Sequence, residues 1–409
     1  MDHTAQPRHP ESTEPSTERP PAASGVVMTE PLIAPPGLHD LVVADTEIGD
    51  VRGAEGFYHY RQYSAIELAR TRSFEEVWFL FLYGHLPSAA ELDDFIEVVH
   101  RMSVLPPEVG GILTAAALLG GERDSLSGLR TVLSAAGSAT GVRPLWDSDD
   151  EQRRTDAIRV AALTPTILGA LARIRAGEEP LQPRRDLSAA ANWLYLISGR
   201  EPTQEHVRAI EHYLIATIDH GFNASTFTAR VIASTGADVV AAVCGAIGSF
   251  SGPLHGGAPD RALDALDEIA AFGDPTEWAR RQVEEHRRIM GFGHAVYRTA
   301  DPRAMMLRDI AGELGGPLVE QAIAAEAAIT EVLAQAHPDQ PRYANVEFYA
   351  GVVMECCGVP RSMFTPTFAV SRVVGWCANI LEQSRSRKII RPAARYVGPP
   401  PAAPAAVPD

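Results

Sequence analysis

The feature that most constrains the fold is a series of helix-start signals spread along the chain. Each pairs a capping residue with a glutamate three positions on, with a proline directly after it, or with both: Ser73 with Glu76, Ser88 with Glu91, Asp274 with Pro275 and Glu277, and Thr365 with Pro366. Apolar residues at helical spacing follow these signals. Only "GFYHYRQY" at 56–63 is strand-like. Because strands do not alternate with helices, the pattern predicts an all-α protein.

Length and charge restrict the class of protein further. The chain has 409 residues, of which 45% are hydrophobic, enough for a large core and more than one domain. Its net charge of −16 argues against a nucleic-acid surface, which requires clustered Lys and Arg. The four cysteines form neither a CxxC pattern nor a disulfide framework, so a reducing cytoplasm is the expected location.

The two ends of the chain differ in composition from the middle. Residues 1–36 are rich in Pro, Ser, Thr and Glu and contain no apolar signal segment, and residues 399–409 are mostly Pro and Ala. Both are predicted to be disordered tails. The longest apolar run, at 237–250, is too short to span a bilayer. We expect it to be a helix in the core or in a subunit interface, and we expect no membrane association.

Three arginines occur where a cation needs an explanation. Arg372 interrupts an apolar helix in "FAVSRVVGW", and Arg303 lies in the first helical turn after Asp301, where the helix dipole favours an anion. Arg391 precedes a proline near the end of the chain. Each can hold a substrate carboxylate. The ordinary alternatives are an internal ion pair or solvent exposure for Arg372, an exposed first-turn residue for Arg303 and a basic tail for Arg391.

Histidines and a glutamate occur beside flexible or apolar stretches. His255 precedes two glycines, and His294 follows "MGFG", so a ligand can approach the main chain there. His220 and Asn223 lie together at another helix entrance, where a helix cap is the alternative. Glu347 stands among apolar residues in "NVEFY"; burial would raise the pKa of its carboxyl and make it a base. The ordinary alternatives are a helix-capping histidine for His255, a core histidine for His294 and an exposed acid at a helix start for Glu347.

Six stretches together resemble the signature blocks of the citrate synthase family, in that family's order. They are "DVRGAEGFYHYRQYSAIELA", "DHGFNASTFTARVIAST", "GPLHGGAPDRAL", "MGFGHAVYRTADPRA", "NVEFYAGVVM" and "FAVSRVVGW…KIIRPAARYVG". The similarity extends from about Gly37 to Gly398. A single block is weak evidence, whereas six blocks in order are specific.

The resemblance implies a two-domain, all-α homodimer. A large helical domain would comprise 37–258 and 364–398, and a small mobile domain, 259–363, would close over the substrates. The apolar helix near 237–250 would pack in the dimer interface. The implied substrates are acetyl-CoA and oxaloacetate, and the reaction requires no metal or redox cofactor.

The resemblance also implies a role for each candidate residue. His255 corresponds to the donor to the thioester oxygen, His294 to the donor to the ketone of oxaloacetate, and Glu347 to the base that removes a methyl proton. The oxaloacetate-binding positions are His220, Asn223, Arg303, Arg372 and Arg391, the last reaching in from the second subunit. The CoA-binding positions are Met290, Gly291, Phe292 and Gly293.

The chain departs from the family at one of these positions, because the usual base is aspartate and Glu347 is one methylene longer. The implied activity is citrate synthase. A 2-methylcitrate synthase that uses propionyl-CoA is an alternative, because one methylene changes binding by only about 1–3 kcal/mol. A non-catalytic homologue that binds acyl-CoA or a dicarboxylate is an alternative of another class.

Overall fold

The computed structural model describes residues 32–401, apart from 120, 122–124, 256–258 and 295. Residues 46–391 form one compact unit, and the described parts of the two ends, 32–45 and 392–401, belong to a second unit. The predicted tails therefore lie largely outside the described residues. The division of the chain into domains at 259 and 363 stays a prediction.

The described residues form sixteen α-helices, which confirms the predicted all-α class. The first eight are α1 Ala65–Thr71, α2 Phe74–Tyr83, α3 Ala89–Met102, α4 Gly110–Leu119, α5 Ser125–Thr140, α6 Asp150–Arg175, α7 Ala189–Ser198 and α8 Gln204–Thr217. The other eight are α9 Ala224–Ala233, α10 Val239–Phe250, α11 Pro259–Phe272, α12 Pro275–Glu284, α13 Pro302–Leu314, α14 Pro317–Ala336, α15 Val346–Cys356 and α16 Phe364–Ser384.

Local capping explains where several helices begin. Full capping boxes open α2, with Ser73 and Glu76, and α3, with Ser88 and Glu91. Asp274 accepts from the first-turn N–H groups of α12, as predicted. The expected Thr365 cap of α16 is wrong. A 3₁₀ turn over Arg361–Met363 leads directly into that helix, which begins at Phe364 without a side-chain cap.

A small antiparallel sheet precedes the helices. Its strands are β1 Gly49–Arg52, β2 Phe57–Tyr60 and β3 Tyr63–Ser64, in that order. The strand-like patch contains β2 and β3. The strand β1 was not predicted, because its four residues, "GDVR", show no clear alternation of polar and apolar side chains. Tyr58 and Tyr60 of β2 are buried, and their hydroxyls donate to the carbonyls of Ala216 and Ile215 at the end of α8. These bonds hold the sheet beside the segment that follows α8.

The core is centred on α16, which is buried along almost its entire length and packs against α6, α8, α9 and α10. Among the described helices, α6 alone is long and apolar enough to cross a membrane, and 72% of its apolar window is buried. Such burial is typical of a core helix. The segments 89–102 and 107–119 meet the same criterion only when joined across a 41° bend. All four cysteines are free thiols, buried or half-buried.

Candidate active site

One carboxylate ties together the starts of α13 and α15. Asp301, the N-cap of α13, accepts from the backbone N–H, Nε and Nη2 of Arg303 at 3.0, 3.0 and 2.8 Å. It also accepts from the N–H of Val346 at 3.1 Å. Arg303 is only 3% exposed, so the alternative of an exposed first-turn arginine is excluded. A buried ion pair therefore holds Arg303 next to the first turn of α15, where Glu347 lies.

The "MGFG" loop is bonded to the residues before α15. The N–H of Gly293 donates to Tyr343 at 2.9 Å, and Asn345 donates to Gly291 and to Gly293. Gly291 has a φ of +82°, and a Cβ there would lie 3.0 Å from the side chain of Phe348. This glycine therefore serves close packing inside the protein, whereas the sequence suggested ligand approach.

His294 directly follows this loop and contacts Arg303. Its Nδ1 accepts from the N–H groups of Val296 and Tyr297 at 2.9 and 3.0 Å, and its Nε2 lies 3.2 Å from Nη2 of Arg303. Burial, reinforced by Arg303, lowers the pKa of His294 to about 4, so the ring is neutral at pH 7. Because Nδ1 accepts, the ring proton is assigned to Nε2. Nε2–H then faces Nη2 of Arg303, which can also only donate, so this pair of groups requires an oxygen acceptor between them.

Glu347 lies in the first turn of α15 with a half-buried side chain. Among the described residues, none hydrogen-bonds or ion-pairs with its carboxylate. Burial raises the pKa of Glu347 to about 7, although Arg303 and Arg288 act in the opposite direction. Glu347 and His294 line the same cleft of about 1170 Å³, together with Arg288 and Asn345. The exposed-acid alternative does not hold, because desolvation makes this carboxylate basic.

His220 lies beside His294 and is surrounded by aromatic side chains. Its Nε2 is 2.9 Å from the hydroxyl of Tyr297, and its ring centre is 5.5 Å from those of His294 and Tyr58. Burial lowers the pKa of His220 well below its usual value, and the charge of Arg303 adds to the effect. The ring is therefore neutral.

His255 and Asn223 meet at Ser225. Nε2 of His255 accepts from the backbone N–H of Ser225 at 3.3 Å and is 2.8 Å from Oγ of Ser225, a hydroxyl oxygen that accepts from the indole of Trp376. Burial, with a smaller contribution from Arg372, lowers the pKa of His255 to about 4. Asn223 is the N-cap of α9 and accepts from the hydroxyl of Ser225. The capping alternative for Asn223 is confirmed, and its contact with substrate stays a prediction.

Arg372 is buried in α16 with little compensation for its charge. It is 2% exposed, its Nε donates to the carbonyl of Thr217 at 2.9 Å, and its guanidinium lies 4.6 Å from the ring centre of Phe368. Among the described residues, no carboxylate forms an ion pair with it. Burial lowers the pKa of Arg372, and Asp219 is the strongest opposing charge. Neither ordinary alternative, an internal ion pair or solvent exposure, is observed.

The remaining predicted residues lie apart from this set or at its edge. Arg391 is exposed in the single chain and contacts none of the described residues of the site; its entry from a second subunit stays a prediction. Phe292 and Gly293 line the cleft with His294. Met290 is half-buried and Gly291 is buried. Among the described residues, no group of three or more His, Cys, Asp or Glu side chains is arranged to hold a metal ion.

Sequence reasoning missed several residues that shape the site. Tyr58, Tyr297 and Asp219 were not singled out, and Asp301 was expected only as a helix cap. Tyr297 and Asp301 lie in the same block as His294, and Asp219 is next to His220. Proximity to a candidate residue was therefore the only available signal, because the contacts themselves depend on tertiary packing.

Comparisons with known proteins agree with this fold. The family model "Citrate synthase, C-terminal domain" matches residues 37–393. The citrate synthase of Haloferax volcanii is 37% identical over 370 residues, which are 88% of this chain and 95% of that protein. The crystal structure of citrate synthase from Thermotoga maritima is 35% identical in sequence and has a TM-score of 0.77. The match includes 90% of this chain and 96% of the Thermotoga maritima chain.

A structure of citrate synthase from Thermoplasma acidophilum, the ternary complex with carboxymethyl coenzyme A and oxaloacetate, is also similar. It is 29% identical, has a TM-score of 0.81 and covers 91% of this chain and 98% of its own. Together these similarities define an acyltransferase enzyme with an all-α fold. The chain belongs to the citrate synthase family.

Proposed function

We propose that this enzyme is a citrate synthase that condenses acetyl-CoA with oxaloacetate and water to give citrate and CoA. The observation that carries the proposal is that Glu347, a carboxylate with a pKa of about 7, lines one cleft with His294, whose Nε2 lies 3.2 Å from Nη2 of the buried Arg303. The ligands named for the Thermoplasma acidophilum complex, a coenzyme A derivative and oxaloacetate, support the same two substrate classes.

The first step is the removal of a methyl proton next to the thioester. This proton is weakly acidic, so its removal needs a desolvated base and a donor aimed at the developing enolate oxygen. Glu347 acts as the base, and neutral His255 acts as the donor. The C–H electron pair becomes the C=C double bond of the enolate, the C=O electron pair moves onto the oxygen to which His255 donates, and the methyl proton moves to Glu347.

In the second step the enolate carbon attacks the ketone carbon of oxaloacetate; the C–C bond forms, the C=O electron pair moves onto the ketone oxygen, and that oxygen takes up one proton, which balances the proton lost from the methyl group, to become the hydroxyl of the citryl thioester. His294 Nε2–H and Arg303 Nη2–H, which lie 3.2 Å apart, suit one oxygen of the substrate. Arg372 and His220 provide further donors for the dicarboxylate, with Asn223 and a second subunit's Arg391 as the other predicted contacts. A dianion compensates the buried charge of Arg372, for which the described residues provide no ion pair.

Water then hydrolyses the citryl thioester, and CoA leaves as the thiol. Closure of residues 259–363 over the substrates admits water only after condensation, and Met290–Gly293 contribute to the CoA site. Each step moves only protons and electron pairs between substrates, so the reaction uses no redox cofactor and no metal. The enzyme is a cytoplasmic homodimer that binds neither nucleic acid nor membranes.

A thiol-release assay with oxaloacetate and either acetyl-, propionyl- or butyryl-CoA tests the proposal. We expect the highest kcat/KM with acetyl-CoA, by about tenfold or more over propionyl-CoA, as one methylene can provide. A preference for propionyl-CoA would indicate a 2-methylcitrate synthase. Binding of both substrates without thiol release would indicate a non-catalytic homologue.

The pH dependence of the reaction should reflect Glu347. Because burial raises its pKa to about 7, the carboxyl is protonated and inactive as a base below that pH. We expect kcat/KM for acetyl-CoA to fall about tenfold per pH unit below pH 7 and to level off above it. His255 and His294, with pKa values of about 4, stay neutral throughout this range. A profile that is flat from pH 5.5 to 8.5, with activity recovered on return to pH 8, would contradict the assignment.

A further inference from the structure

Tyr297 contacts two histidines of the site through two different groups. Its backbone N–H donates to Nδ1 of His294 at 3.0 Å, and its hydroxyl lies 2.9 Å from Nε2 of His220. The ring centres of His294 and His220 are 4.8 and 5.4 Å from that of Tyr297. We infer that Tyr297 is a positioning residue whose hydroxyl sets the tautomer of His220, in the sense opposite to the one that the N–H groups of Val296 and Tyr297 set in His294.

The tautomer of His294 follows from the main chain. A backbone N–H can only donate, and Nδ1 receives two of them, from Val296 and Tyr297. Nδ1 therefore carries no proton, and the neutral ring keeps its proton on Nε2, where the single N–H of Arg303 Nη2 at 3.2 Å is outweighed by the two main-chain donors on Nδ1. A substitution of the Tyr297 side chain that retains the backbone leaves both donors in place.

The tautomer of His220 follows from the hydroxyl. An imidazole nitrogen is a better acceptor than a phenol oxygen, so the hydroxyl donates and Nε2 accepts. Burial raises the pKa of Tyr297, so the phenol keeps its proton at pH 7. The neutral His220 ring then carries its proton on Nδ1. Tyr58 also packs against His220, but its hydroxyl donates to the carbonyl of Ala216 and therefore has no part in this choice.

The consequence, which rests on the proposed function, is a site that offers donors to its substrate. Oxaloacetate as a dianion presents only acceptor oxygens. His294 presents Nε2–H, His220 presents Nδ1–H, and Arg303 is a donor in every state. Without the hydroxyl of Tyr297, His220 can adopt the other tautomer and expose a lone pair at Nδ1, which repels an anionic oxygen. Tyr297 thus favours binding of the dicarboxylate without contacting the reacting atoms.

Side-chain ¹⁵N NMR of the full-length protein without substrate at pH 7 tests the assignment directly. We expect His294 to be protonated at Nε2 and His220 at Nδ1, with the signals assigned from His294→Gln and His220→Gln variants. Tyr297→Phe should change the ¹⁵N shifts of His220 toward the other tautomer and leave the protonation of His294 unchanged. Tyr58→Phe is the matched control, because it removes a hydroxyl beside the same ring, and it should leave both tautomers unchanged.

Kinetics provide a second readout. Tyr297→Phe should raise the oxaloacetate KM roughly three- to tenfold, the effect of one neutral hydrogen bond, with kcat within about twofold of wild type. His220 protonated at Nε2 in the wild type, or unchanged shifts in a folded Tyr297→Phe protein, would overturn the inference even if thiol release proceeds normally. If the protein releases no thiol from any acyl-CoA, the proposed function fails, and the NMR result still decides the tautomers.

Discussion

Glu347→Gln should lower kcat by about 10²- to 10⁴-fold, the usual contribution of general base catalysis. Glutamine keeps the shape of the side chain and its place in the first turn of α15, but its amide cannot accept the methyl proton. Since no described residue bonds to the Glu347 carboxylate, its loss should leave the packing intact. Thiol release gives kcat, and calorimetric titration should show that oxaloacetate still binds within a few-fold of wild type.

Two further variants sharpen this test. Glu347→Asp should lower kcat less than glutamine does, because a carboxylate remains but falls short of the methyl group, and misplacement by about 1 Å can cost 10²-fold. Glu211→Gln is the matched control: burial raises the pKa of Glu211 to about 7 as well, but its carboxylate accepts from the N–H of Phe74 at the start of α2. The Glu211→Gln variant should therefore keep near-normal turnover. Near-normal turnover in Glu347→Gln would mean that another group takes the proton.

Arg372→Leu should raise the oxaloacetate KM by on the order of 30-fold or more, the loss expected when one partner of a buried charge pair is removed. The substrate carboxylate would enter a buried site without the cation that compensates it. Asp219, whose pKa burial raises to about 6, would lose its strongest favourable charge and become protonated more readily. Steady-state kinetics over a range of oxaloacetate concentrations measure the effect.

The stability of the same variant distinguishes substrate binding from a structural role. Arg372 makes one described hydrogen bond and no described ion pair, so leucine should change Tm by only a few degrees. Arg230 is the contrasting case, because it is 3% exposed and bonds to Glu382, Asn379 and Gln383. Arg230→Leu should destabilise the fold strongly. An unchanged KM together with a collapsed Tm in Arg372→Leu would make Arg372 structural.

Helix starts were predictable wherever the capping interaction is local. Ser73 and Glu76 are three residues apart, so their reciprocal bonds form whenever that turn is helical. Thr365 failed as a cap because the 3₁₀ turn over Arg361–Met363 leads the backbone directly into the helix, which has begun at Phe364. The strand β1 was missed because its pairing partner, β2, rather than its own composition, makes it a strand.

In the candidate site, too, the sequence predicted local contacts but not contacts between distant residues. Asp301 and Arg303 are two residues apart, and the sequence placed both at the start of α13. It could not show that Asp301 pairs with the Arg303 guanidinium and also binds the N–H of Val346, 45 residues later in the chain. The sequence suggested a buried charge at Arg372 from its apolar neighbours, but only the structure excluded an ion pair for it among the described residues.

The sequence by itself determined the all-α class, most of the tested helix starts and the identity of the residue types available for catalysis, because caps and periodicity act over a few residues. Tertiary structure decided which of those residues meet. Tyr297 reaches His220 across 77 positions, and His255 reaches Ser225 across 30. It also decided their charge states, since the low pKa of His294 and the high pKa of Glu347 arise mainly from burial, which is a property of the packed chain.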